Sequence, residues 1–473
     1  MGARGPGRPA LSIAVKDATE TWRDGRFRWA AVLLGLLIVA AVAGGAEHQS
    51  SVAAQHRDAQ RVERDTWLDK GEMNPHAAAH YGAFVFKPVQ PLAALDPGLD
   101  PFTGVFVFLE AHKQQLARYR PIEDAAPTRR LGLLTPATGA LVLLPLFVVC
   151  LTFASVAGER EQGTLRPLLA LGIARRDVWV GKALGAMMPV VAVMLPSVAA
   201  GAAALWWIAP PGAAVGGRAL GLLAVYGAHT LVWVGLGLLV SARARTAQAA
   251  LATLLALWFA STFVMPPLAM AVAKVVEPSP GPAEFAAAIA DEKDRWPTWD
   301  ERVARVTERF LAGEFDQRST PANIEVVALV EAEAEETALY QRHFDALFNA
   351  HGRQSAVAER LGSLAPTMAA RALSMGLAGT DAAHDRHFMD ATSRYRSMFL
   401  AALNAELSGS GRWNSFDYMR GRDLWEKIPA FDYDAPDTGW ALGQHPWSAA
   451  ALALWCAAAL AASGWAVATM RVD

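Results

Sequence analysis

The chain has 473 residues, 53% of them hydrophobic and 19% charged, with a net charge of −2 and only 2 cysteines. Soluble domains are nearer about 45–50% apolar and about 25% charged, so the balance is shifted toward a membrane protein. Disordered, collagenous and disulfide-framework classes are excluded at once.

Residues 1–28 come first, and 10–28 pattern as an amphipathic helix at the cytoplasmic interface, with Trp22 and Phe27 toward lipid. Stretches of about 20 residues without Asp, Glu, Lys or Arg follow at 29–46, 132–157, 183–208, 219–240, 247–273 and 447–470. They are apolar all round, as lipid-facing helices are. Trp29, Trp206, Trp207 and Trp447 mark span ends. Ala41-Val42-Ala43 gives the first span a cleavage-like site. Its 28 preceding residues include Asp17, Glu20 and Asp24, which do not make a short basic leader, so the span is read as retained. The pattern predicts an all-α polytopic membrane protein with six transmembrane helices and a largely helical external domain.

Six spans put both termini on one side. That side, with 158–182 and 241–246, holds 14 Lys/Arg against 7 Asp/Glu, and the other holds 29 against 38. The short loops agree, with Arg175, Arg176 and Lys182 in one and Arg243 and Arg245 in the other. Both termini are therefore expected in the cytoplasm. The segments 47–131 and 274–446 lie outside and make up more than half of the chain. Helical patterns are read at 283–312, 321–362 and 381–408, followed by an aromatic tail at 409–446. Trp413, Phe416, Tyr418, Trp425, Phe431, Tyr433 and Trp440 mark this tail, which suits a substrate, a partner or the bilayer surface equally. Cys150 and Cys456 both fall in spans, so packing alone must stabilise the external part.

The 158–182 loop begins with the polar helix end Glu159-Arg160-Glu161. Gly163 permits a sharp turn and Thr164 is placed to cap a short helix. Leu165, Leu168, Leu169 and Leu171 give that helix an apolar face with no core of its own, and Gly172 ends it. Such a face fits a partner's groove or the headgroups equally well.

Glu159-x-Glu161-x-Gly163-Thr164-Leu165, followed by Arg175, Arg176 and Gly181-Lys182, resembles the coupling segment of ABC-2 type permeases, of the type V exporter architecture. The subgroup with large external insertions between spans one and two and between spans five and six is the most similar. Ala79-His80-Tyr81-Gly82, Phe86-Lys87-Pro88, Leu109-Glu110-Ala111-His112 and Leu377-Ala378-Gly379-Thr380-Asp381 also resemble that subgroup. The resemblance implies a permease subunit of an ATP-driven exporter in a bacterial inner membrane. It implies a second permease copy or paralogue, and two ATPase subunits that bind ATP and Mg, docked on Glu159, Glu161, Gly163, Thr164, Leu165, Leu168, Arg175, Arg176, Gly181 and Lys182. Movement of this loop is expected to tilt spans one, two and five.

The chain agrees that ATP chemistry is supplied from elsewhere. It has no Gly-x-x-x-x-Gly-Lys-Ser/Thr loop, since Gly181-Lys182 is followed by Ala183. Leu407-Ser408-Gly409-Ser410-Gly411 is read as a turn after a helix. The spans lack acidic and basic groups for ion coupling, and His229 is read as hydrogen-bonded to a neighbouring helix. The small residues Gly221, Gly227, Gly235 and Gly237 suit close helix packing, and prolines 136, 145, 189, 196, 266 and 267 offer kinks. His76/His80 and His384/His387 have the spacing of weak metal-ligand pairs, although the bland account outweighs it. The run Glu331, Glu333, Glu335, Glu336 is read as a solvated face. An acidic exterior disfavours nucleic acid. Two other readings are kept: a mechanotransmission complex acting on a periplasmic protein or lipid-linked protein, and a membrane-anchored metal-handling protein.

Overall fold

A computed structural model describes residues 8–123, 134–210, 215–314, 324–409 and 417–470. Among these, six helices are long and apolar enough to cross a membrane: Gly25–Leu68, Pro136–Glu161, Arg175–Ile208, Val215–Arg243, Ala247–Val276 and Pro446–Ala468. The first has 44 residues, about 66 Å at 1.5 Å per residue and twice the thickness of a bilayer core. Its second half therefore leaves the bundle as a stalk and plants Trp67 in the external domain. Ala41-Val42-Ala43 lies mid-helix, with Ala41 and Val42 buried.

Two spans change their winding for an identifiable reason. A π-helical turn at Gly139–Leu143 precedes Pro145, and another at Ala260–Val264 precedes Pro266-Pro267. Proline has no N–H and crowds the carbonyl four residues back, so the ladder widens there. The second span's freed carbonyls find partners across the bundle. Leu141 O lies 3.3 Å from His229 Nε2, and Val142 O accepts from Trp258 Nε1 at 3.0 Å. His229 is thus fully buried and tied to a neighbouring helix. A side chain at Gly235 would meet the Ala459 backbone, and one at Gly237 would overlap Thr152. Spans six and two therefore approach span four closely at these glycines.

The external domain contains a short antiparallel hairpin, β1 (Ala83–Phe86) with β2 (Phe106–Leu109), in which Ala83 faces Leu109. The helix expected at 283–312 is broken into Pro282–Lys293 and Trp299–Leu311. Pro297 interrupts the pattern, and Thr298 restarts it with a capping box to Glu301. The helices Ile324–Gly362 and Ala382–Gly409 follow the expectation. Between them lies Pro366–Ala378, a helix the sequence reading missed. It is buried nearly all round, and Ala369, Ala370, Leu373 and Leu377 pack with Leu222, Val225 and Leu452 of spans four and six.

Two sequence expectations are corrected here. The glutamate run is a solvated face only in part: Glu331 and Glu335 stay at the surface, paired with Arg309 and Arg302, while Glu333 and Glu336 are buried. The aromatic tail, where described, folds back on its own domain. Trp425 is fully buried against Trp67, and each indole N–H donates to a backbone carbonyl, Trp425 Nε1 to Gly71 O and Trp67 Nε1 to Trp425 O, both at 3.0 Å. Phe431 and Tyr433 pack on Phe388, and Trp440 packs on His384 and His387. Trp413 and Phe416 lie outside the described residues, as do Ser410 and Gly411 beyond the helix end at Gly409.

Candidate functional site

The segment between the second and third spans is built from the polar end of one helix, a sharp turn, the short helix Leu165–Ala170 and the start of Arg175–Ile208. Gly163 has φ +70°, in the left-handed region that favours glycine, and its N–H donates to Arg160 O at 3.1 Å. Thr164 does not cap with its side chain. Its hydroxyl donates back to Glu159 O at 3.2 Å, closing the turn from within.

The apolar face is not wholly free either. Leu165 is 1% exposed, inside a cluster with Ile13, Val156, Val178, Ala242, Ala466 and Val467, and Leu168 and Leu169 pack partly against it. Only Leu171, at 78% exposed, projects outward. The residue spacing gives one face, but sequence could not show that the N-terminal helix and spans two, three, four and six roof it.

Lys182 is the centre of the polar arrangement. It is 3% exposed on the third span and donates to Glu159 Oε1 at 2.6 Å, with Asp17 Oδ2 at 3.0 Å. Lys16 adds a longer pair with Glu159 at 3.4 Å. Burial pushes the Asp17 carboxyl above its ordinary range, although the Lys182 ammonium opposes this. Burial opposes the charge on Lys16, but Glu159, Glu20 and Asp17 outweigh it and raise its pKa.

Two arginines reach further. Arg160 donates to Ala244 O at 2.7 Å and Ala242 O at 2.9 Å, at the C-terminal end of span four. Arg175 donates to Ala468 O at 2.8 Å and Met470 O at 2.9 Å, at the C-terminal end of span six. Cations suit these helix ends, where carbonyls lack intrahelical partners. Ser241 on span four accepts from the backbone N–H of Val156 and Ala157 and donates to Phe153 O, splicing spans two and four. Sequence reasoning passed over Arg160, Asp17 and Ser241 in these roles. The alternation of charge in Glu159-Arg160-Glu161 was the available signal.

The N-terminal helix Arg8–Arg23 also differs from expectation. Its Ala10, Ile13, Ala14 and Ala18 are buried, and a side chain at Gly181 or Gly185 would strike Ile13 or Asp17. That face docks on the third span, while Leu11, Val15 and Trp22 stay exposed on the other. Phe27 belongs to the first span, after the Asp24 N-cap, and is partly buried in the bundle.

The coupling candidates therefore divide. Glu159, Leu165, Gly181 and Lys182 face inward, Leu168 and Arg175 are half-buried, and Glu161, Gly163, Thr164 and Arg176 face outward beside Arg166, Pro167 and Leu171. Among the described residues, the hydrogen bonds of Arg160 and Arg175 run to the ends of spans four and six.

Of the weak metal candidates, His384 and His387 do not converge. His384 Nδ1 lies 2.6 Å from Asp381 Oδ1, and His387 Nδ1 lies 2.8 Å from the Tyr433 hydroxyl. Asp381 also takes His445 Nε2 at 2.6 Å, while His445 Nδ1 meets Glu359 at 3.0 Å. Burial opposes the charge on His445, but these two carboxylates hold its pKa up at about 9. The same bonds outweigh burial at Asp381 and keep its carboxyl well below the usual range. Arg218 of span four joins this knot through His384 and the carbonyls of Pro436 and Asp437. His76 and His80, by contrast, do face one another, with 3.1 Å between Nε2 atoms.

No curated protein matches the chain. A family profile described as "ABC-2 family transporter protein" matches residues 11–470, a range that holds all six spans, the loop clamped by Lys182, Arg160 and Arg175, and both external segments. The chain therefore belongs to the ABC-2 family of transporter membrane proteins.

Proposed function

We propose that this permease subunit is driven by separate ATPase chains docking on the outward edge of 158–182, and that it works as an exporter. The observation that supports this most is the double attachment of spans four and six. At one end Arg160 and Arg175 bind their C-terminal carbonyls to the loop. At the other, Arg218 of span four and His445, at the N-cap of span six, enter one knot with Asp381 and Glu359. A displacement of the loop is then carried along two rigid helices into the external domain. ATP and Mg would be bound by the partner chains, two per assembly, with a second permease copy or paralogue completing the membrane unit. In this reading both termini are cytoplasmic and the larger segments periplasmic.

Glu161 lies on the exposed edge, so reversing its charge leaves the fold intact. Glu161→Lys is expected to lower permease-stimulated ATPase activity in the reconstituted complex about tenfold, equivalent to about 1.4 kcal/mol of docking. Gly163→Pro is expected to do at least as much, because proline holds φ near −65° and deletes the N–H bonded to Arg160. Wild-type stimulation in both variants would remove the docking edge from the proposal.

A second reading, mechanotransmission without transport, is favoured by one feature. The buried helix Pro366–Ala378 fills the space between spans four and six at the domain end. Vesicles containing the complex distinguish the two, since a transporter accumulates substrate and a transducer does not.

A further inference from the structure

We propose that His76, His80 and His112 form a binding site for a divalent late first-row transition metal, of the zinc type, with one coordination position left open on the external domain. Their Nε2 atoms converge: His76 lies 3.1 Å from His80 and 3.4 Å from His112, and all three ligand atoms lie within 4.8 Å of one another. Metal–nitrogen bonds of about 2.0–2.1 Å in a tetrahedral array separate neighbouring ligand atoms by about 3.3 Å. The His76–His80 and His76–His112 spacings are those of ligands around one ion.

Three elements cooperate to place the rings. Asn74 caps Pro75–Tyr81 by accepting from the N–H of His76 and Ala77, and this helix carries His76 and His80 on one face. His112 arrives from the tight turn after β2, where Glu110 bridges to Lys113. Its φ is +58°, a left-handed conformation that a turn normally reserves for glycine or asparagine. The turn accepts that strain while aiming the His112 ring at the helix.

The surroundings fix which nitrogen is offered. His112 Nδ1 is 2.8 Å from Glu336 Oε2, the carboxylate–histidine contact that orients metal-bound imidazoles. His76 Nδ1 and the Asn404 amide oxygen are both buried, and the Asn404 side chain lies beside this ring. Asn404 Nδ2 in turn donates to Glu333. With His112 Nδ1 taken by Glu336, its Nε2 is the nitrogen turned toward His76 Nε2, 3.4 Å away.

His80 is exposed while His76 and His112 are half-buried, so the fourth position opens outward. Structural zinc sites are closed, whereas three protein ligands with an open position accept water or an exogenous ligand. The inference is independent of how the ATPase docks.

The test uses the full-length protein in detergent micelles, stripped with a chelator and titrated with Co²⁺ and then Zn²⁺. One Co²⁺ per chain is expected, with visible absorption of a tetrahedral ion that Zn²⁺ abolishes. His80→Ala is expected to weaken binding at least 100-fold with an unchanged unfolding midpoint, because its ring is exposed. Glu336→Gln is expected to weaken it about 10- to 100-fold while keeping the spectrum. His343→Ala, an external histidine outside the cluster, is expected to bind like the wild type. A wild-type protein without the tetrahedral spectrum, or one binding no tighter than His80→Ala, would overturn the site.

Discussion

Asp381→Ala is expected to cost about 3–5 kcal/mol at neutral pH, lowering the unfolding midpoint in micelles by on the order of 10 °C. The size follows from what one carboxylate holds. Asp381 accepts from the His384 backbone at 2.9 Å, meets its ring at 2.6 Å and meets His445 at 2.6 Å, with its side chain 4% exposed. Removing it leaves a buried imidazolium with only Glu359, and takes the partner from His384 Nδ1 and from the His384 backbone N–H. The pH dependence gives the prediction a second edge. His445 rises from 6.5 to about 9 on folding, so its contribution is fully present below about 6.5 and is lost as pH rises through about 9. Asp381 is shifted the opposite way, so its contribution persists above its ordinary value and is lost only in acid. The wild type should lose about 3 kcal/mol between pH 7 and pH 10. The variant should lose much less, so the two converge in alkali. Midpoints measured at both pH values check this, and a gap that stays constant would show that the knot is not held by His445 charge.

What could be read in the sequence follows from the range of the forces involved. The six spans were legible because freedom from charge over about 20 residues is a local property. The turn at Gly163 and the helix after it were legible for the same reason. The roof over Leu165 was not, because Ile13, Val178, Ala242 and Val467 come from four separate stretches. Pro366–Ala378 went unread because it is a stretch of small and apolar residues with Arg371 as its one charge, too short to count as a span and without a broad polar face. His76 and His80 were visible as an i, i+4 pair. His112 was noticed only within a familiar segment, since nothing in the spacing ties a turn to a helix more than thirty residues away. The acidic run was misread in part for a related reason. Periodicity marks a polar face, but only the fold reveals that Arg302, Arg309, Lys293 and His112 lie opposite it.

Lys182→Met is expected to uncouple the complex, reducing permease-stimulated ATPase activity at least about tenfold, and to destabilise the protein by about 3 kcal/mol. The methionine keeps most of the buried stem's volume, so the loss isolates the ammonium. That group joins the N-terminal helix, the end of span two and the start of span three through Asp17 and Glu159. Without it, two carboxylates less than a fifth exposed face each other, with only the half-exposed Lys16 to offset them. Arginine is not a conservative replacement, because its planar fork needs room that a 3%-exposed site beside Gly181 lacks. Stability and coupling are separated by adding Asp17→Asn and Glu159→Gln to Lys182→Met. Removing a whole buried charge set is far less costly than breaking it, so the triple variant should regain most of the lost midpoint. It should remain uncoupled, because amides and a thioether do not tie the three segments together against a load. A triple variant that regains both midpoint and stimulated ATPase activity would make Lys182 a residue of folding alone. One that regains only the midpoint makes it the joint through which the loop pulls on spans four and six.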